Sequence, residues 1–137
     1  MKKFFSLTPL LLIIVVVYNA LAFWDKDGMS VLLYSALFFY HFPSGDTFVL
    51  FIDDLLLVMG LFILYFEILK STHASDLVAF EHILSIFTFL LCFYEFIFIE
   101  KFGNSTFLIL TLMTLFDVCA GITITISVAR RDLEVRM

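Results

Sequence analysis

Seven titratable side chains stand in stretches apolar enough to sit in lipid: Asp53, Asp54, Glu67, Glu81, His82, Glu95 and Asp117. No Lys or Arg lies within the apolar runs at residues 51–69 and 76–99 that hold the first six. A charge near the centre of a bilayer costs roughly 2.5–3.5 kcal/mol even on lenient insertion scales. Such acids must face inward, share protons, bind a cation or meet a partner protein.

Their spacing groups them. Glu81, Ser85, Thr88, Cys92 and Glu95 recur at intervals of four, three, four and three, which is one stripe of a helix. In lipid a polar stripe marks the side turned towards protein. Asp53, Gly60 and Glu67 recur every seven residues on the preceding run. Matching depths across the turn at 70–76 sets Glu67 level with Glu81 and His82, and Asp53 and Asp54 level with Glu95.

Two clusters follow. In the outer one, Asp53 and Asp54 with Glu95, like charges in a poor dielectric leave at least one carboxyl protonated near neutral pH. This is a proton or cation site, a hydrogen bond between carboxyls, or a set of acids reaching water. In the inner one, a structural hydrogen bond between Glu67 and His82 is expected, since a metal would need further ligands. His73 is near in sequence but lies on the loop. Asp117 lies close to the midplane of the last run. It is either a functional acid or, with Thr114 and Gly121, packing glue that lets helices approach closely. No nucleophile–base pair, phosphate loop or Cys/His metal spacing is present. No enzyme activity and no cofactor or metal is expected.

The elements that position these residues are helices in a membrane. The chain has 137 residues, 63% of them apolar, and a mean hydropathy of +1.10, far above soluble domains. One integral membrane domain over 1–137 follows. Its net charge of -5 and lack of a basic cluster argue against nucleic acid and against a polybasic lipid-binding surface. The expected spans are 4–24, 51–70, 76–99 and 105–129. Pro9 is tolerated in the first turns of the first span. Lys2, Lys3 and the small residues Ala20-Leu21-Ala22 imitate a signal peptide, but the apolar stretch is longer than a usual signal core, so retention is expected. Asp76 is a candidate N-cap, and Asn104 or Ser105 caps the last span. Cys92 and Cys119, about seven residues out of level, are read as small buried residues beyond disulfide reach.

Between the first two spans, about 30–50, Pro43-Ser44-Gly45-Asp46 is a strong turn signal flanked by β-branched and aromatic residues. A short β-hairpin on the outer membrane face is expected, with an interfacial helix over 30–40 as the alternative. Tyr34, Phe38, Phe39, Tyr40 and Phe42 suit the headgroup belt in either case. Lys2, Lys3, Lys70, Arg130, Arg131 and Arg136 on one side, against Lys26 and Lys101 on the other, place both termini in the cytoplasm. The expected fold is an all-α membrane protein, a four-transmembrane-helix bundle with an outer hairpin between helices 1 and 2.

With that topology, residues 54–72 (DLLLVMGLFILYFEILKST) and 105–132 (STFLILTLMTLFDVCAGITITISVARRD) resemble a group of small bacterial inner-membrane proteins with four predicted helices. The likeness covers most of the chain, carries no catalytic motif and implies no activity. The layout is also similar to that of claudin-like proteins, with a much shorter outer segment lacking their disulfide cysteines. Small multidrug exporters place an essential Glu in the first helix, which is acid-free here. The expectation is a non-enzymatic protein of the bacterial inner membrane that packs against itself or a larger complex through acidic and small-residue helix faces. The alternative is a proton or cation carrier using the intramembrane carboxylates.

Overall fold

A computed structural model describes residues 9–24, 29–71 and 78–136. The chain is mostly helical with one small antiparallel sheet. Pro9 precedes helix α1 (Leu11–Trp24), and its carbonyl accepts the Leu12 N–H at 3.1 Å. A proline there forfeits only an N–H that the first helical turn leaves unused. Leu11, Ile14, Val15, Tyr18 and Ala22 are buried, a spacing that lines one face of the helix.

A short helix α2 (Met29–Leu33) leads into strand β1 (Ala36–His41), which pairs with β2 (Thr47–Phe51). Phe38 opposes Leu50, Phe39 opposes Val49, Tyr40 opposes Phe48 and His41 opposes Thr47, with a bulge between Ala36 and Phe38. The turn closes through Phe42 N–H to the Asp46 carbonyl at 2.8 Å and Gly45 N–H to the Phe42 carbonyl at 3.0 Å. Gly45 has φ +93°, a conformation that glycine adopts without steric cost. The expected hairpin is therefore present. Residues 29–33 are helical because β2 ends at Phe51 and offers them no strand partner, so their backbone bonds locally.

Helix α3 (Ile52–Ser71) follows β2 without a linker. Helix α4 (Val78–Phe98) is joined by a 3₁₀ turn (Glu100–Phe102) to helix α5 (Ser105–Arg136). Asn104 Oδ1 accepts the Phe107 N–H at 2.9 Å, so the cap of α5 is Asn104 rather than Ser105. Helix α5 continues past the expected end at 129, because Arg130-Arg131-Asp132 contains no helix breaker. The expected start of the first helix at 4, the Lys2/Lys3 segment, the polar break at 25–28, the loop carrying His73, and the Asp76 cap fall outside the described residues.

Helix α5 packs along both α3 and α4, and α1 lies against α3 and α4. Gly60 makes the α3–α5 approach possible, since a Cβ there would stand 3.1 Å from both Leu110 Cδ2 and Met113 Sδ. The buried centre at the hairpin end is aromatic: Tyr18, Phe102 and Phe107 have ring centroids 4.7–5.9 Å apart. Outside, Phe62, Phe80, Phe87, Phe98 and Phe116 are exposed. Two helical stretches, Phe80–Phe98 and Ser105–Arg131, are long and apolar enough to cross a membrane. Helix α3 has 20 residues but carries Asp53, Asp54, Glu67 and Lys70, and α1 has 14.

Candidate functional site

All five members of the α4 stripe, Glu81, Ser85, Thr88, Cys92 and Glu95, are buried, while Phe80, Phe87, Phe93 and Tyr94 on the same helix are exposed. On α3, Leu56, Gly60, Leu64 and Glu67 are buried. The polar faces thus point into the bundle, as the spacing predicts. Hydroxyls along the way bond their own helix: Thr88 to the Leu84 carbonyl, Thr111 to Phe107 and Thr114 to Thr111. Among the described residues every buried side-chain nitrogen or oxygen has a hydrogen-bond partner.

At the end of α3, Glu67 accepts the Leu10 N–H on Oε2 at 2.6 Å and faces Lys70 Nζ at 3.5 Å on Oε1. Lys70 also stands 3.8 Å from Glu81 Oε1. One ammonium therefore lies between two buried carboxylates from different helices. This changes the expected inner cluster. Lys70, at the expected end of its span, belongs to the last helical turn, and its flexible stem carries the charge back to the acids.

His82 does not pair with Glu67. Its Nε2 lies 2.6 Å from Thr125 Oγ1 on α5, and Thr125 in turn donates to the Gly121 carbonyl at 3.0 Å. With the single Thr125 proton on that carbonyl, His82 donates from Nε2. A Cβ on Gly121 would stand 2.5 Å from His82 Cε1. The glycine thus accommodates an imidazole rather than a neighbouring backbone. Gly121→Ala is expected to destabilise the protein by about 1–3 kcal/mol through overpacking. The double variant Gly121→Ala/His82→Ala should recover part of that loss, a coupling readable in thermal unfolding in detergent. Independent, additive losses would show that ring and glycine do not fit together as described.

Asp117 is 4% exposed, with the Ser85 hydroxyl as its hydrogen-bond partner. Among the described residues, His82, Lys70, Glu81 and Glu67 are charged or titratable groups near it. Asp117 is thus met by the α4 stripe.

At the other end Glu95 Oε2 accepts from Asn19 Nδ2 at 3.1 Å, and Asn19 also donates to the Val15 carbonyl. Asp54 Oδ2 accepts the Phe51 N–H at 3.0 Å, and Asp53 Oδ1 accepts the Asp54 N–H at 2.8 Å. The expected outer carboxyl cluster therefore divides. The two aspartates bond the backbone where α3 begins, a natural role for acids at a helix N-terminus. Glu95 joins α4 to α1.

Two further polar side chains of this end make contacts that their spacing in the sequence does not announce. Tyr18, fully buried, donates its hydroxyl to Asn104 Oδ1 at 2.9 Å. Lys101 Nζ donates to the Ala22 carbonyl at 3.1 Å and lies 5.5 Å from the Phe23 ring centroid. Each stands alone in an apolar or turn segment, where periodicity gives no signal. Cys92 is buried as expected, but Cys119 is exposed.

Among the described residues no group of three or more His, Cys, Asp or Glu is placed to hold a metal ion. The arrangement can shelter charge, join helices and hold protons at several depths. No family model, curated protein or solved structure matches the chain.

Proposed function

We propose that this chain is a non-enzymatic integral membrane protein with four spans and both termini cytoplasmic in a bacterial inner membrane, acting as a structural or accessory subunit. The observation that carries the reading is the division of its surfaces. Acids at three levels of the bundle are met within the chain by Lys70, Ser85 and Asn19, while the outward surface is almost wholly apolar. A water-exposed protein with that exterior would carry apolar patches far larger than soluble monomers show. Lys70, Arg130 and Arg131 at one end, against Lys101 at the other, support the orientation. The buried acids Glu67, Glu81, Glu95 and Asp117 are occupied in contacts between the chain's own helices. Contact with a second copy or a larger complex then falls to the outward apolar surface. Native mass spectrometry from mild detergent and from membrane extracts should show assembly, and monomer alone in both would count against the subunit role. The resemblance to small four-helix inner-membrane proteins agrees with this reading.

A second reading is favoured by one observation: Lys70, Glu81, His82, Ser85 and Asp117 lie near one another, reaching from the end of α3 to a buried acid of α5. Proton or cation passage along this line predicts that Asp117→Asn abolishes pH-driven flux in reconstituted vesicles. Equal flux through both proteins, or none through the parent, removes it.

A further inference from the structure

A groove of about 580 Å³ runs along the outside of the bundle between α3 and α5. Leu64 and Ile68 form one wall, and Cys119, Ala120, Thr123 and Ile124 form the other. The surface is apolar, and its one hydroxyl is already used, since Thr123 donates to the Cys119 carbonyl at 2.8 Å. An occupant needs no hydrogen bond here. It must be hydrocarbon.

The charge lies further along the same helix. Thr123 and Arg130 are seven residues apart on α5, as are Ile124 and Arg131. Two helical turns return each pair to nearly the same azimuth with a rise of about 10 Å. The two columns of side chains that floor the groove therefore each continue into an arginine. Arg130 and Arg131 are both exposed. Hydrocarbon needed at one level and two guanidiniums about 10 Å further towards the helix end match one molecule with an acyl chain and a phosphodiester. Guanidinium is the side-chain group best suited to bind phosphate oxygens in pairs.

We propose that this groove holds one phospholipid of the cytoplasmic leaflet, with an acyl chain between α3 and α5 and the phosphate on Arg130 and Arg131. The inference rests on the membrane reading given under Proposed function. It differs from adhesion to a charged membrane surface, which needs clusters of about 4–8 basic residues. Two arginines set beyond an open apolar groove instead match a single molecule.

The test is native mass spectrometry of the full chain in detergent with added dioleoyl phosphatidylglycerol. One lipid should be retained above the non-specific ladder. Arg130→Gln/Arg131→Gln should weaken retention about tenfold, the loss of roughly one charge-assisted contact. Ala120→Trp, which fills the slot from an outward position, should abolish it. Glycerophosphoglycerol, the same headgroup without chains, should not compete. Circular dichroism of both variants must match the parent. If a variant is misfolded, Ile124→Phe and Arg131→Gln alone replace it.

Retention unchanged in both variants overturns the site, as does competition by the chainless headgroup. Loss with Ala120→Trp but none with the arginine variant overturns the placement of the phosphate. A dimer of the parent chain that Ala120→Trp dissolves would mean that a second copy, not a lipid, fills the groove. Carbonate extraction of membranes separates these results from a failure of the underlying reading. A chain released by carbonate is not an integral membrane protein, whereas a chain retained in the membrane with no groove-dependent lipid fails on the site alone.

Discussion

Replacing Tyr18 by Ala is expected to cost about 3–5 kcal/mol, the range for removing a large buried aromatic side chain. Tyr18 is fully buried, with the rings of Phe102 and Phe107 at centroid distances of 5.9 and 4.9 Å. Its hydroxyl reaches Asn104, the residue that also caps α5. Loss of the ring therefore opens a void where α1, the 3₁₀ turn and the start of α5 meet. Tyr18→Phe keeps the ring and should cost only about 0.5–1.5 kcal/mol, one hydrogen bond. Asn104 Oδ1 would still hold the Phe107 N–H. Thermal or SDS-driven unfolding in detergent checks the order. Equal losses for the two variants would place the stabilisation in the hydroxyl rather than the ring.

Lys70→Met should have the next largest effect, about 2–3 kcal/mol near neutral pH. Removing one member of a buried ion pair costs about 3–5 kcal/mol, and partial exposure of the ammonium, 19% of its side chain, lowers that. The two carboxylates it lies between, Glu67 and Glu81, would lose their shared cation. Glu67→Gln combined with Lys70→Met should recover part of the stability, since the amide removes one of the two like charges left facing each other. A Lys70→Met protein as stable as the parent would mean that the ammonium contributes nothing.

How far these residues are legible in the sequence depends on the kind of signal each gives. The α4 stripe is readable because Glu81 to Glu95 repeats with the helical period, and burial of all five members follows from that period alone. The hairpin is readable because Pro43 to Asp46 gives turn residues in a fixed order. Depth matching correctly sets Glu67 level with Glu81. It fails for the partners of Glu95 and His82, because it fixes height along the bundle and says nothing of rotation about each helix axis. That rotation is set by packing, notably the fit of Gly60 against Leu110 and Met113. Asp53 and Asp54 instead bond backbone N–H groups of their own helix start. A local bond needs no other helix to be placed. Asn19 and Tyr18 stand singly in apolar sequence, so no spacing can announce them.

The continuity of the hairpin with α3 has a mechanical consequence. Strand β2 ends at Phe51 and the helix begins at Ile52. Asp54 holds the Phe51 N–H, and Ser35 receives the Ile52 N–H at 3.3 Å. A joint tied on both sides within four residues has little freedom to swivel. The hairpin is therefore a lever on α3: a load on its tip passes as torque into the helix that carries Gly60, Glu67 and Lys70, instead of being absorbed at a hinge.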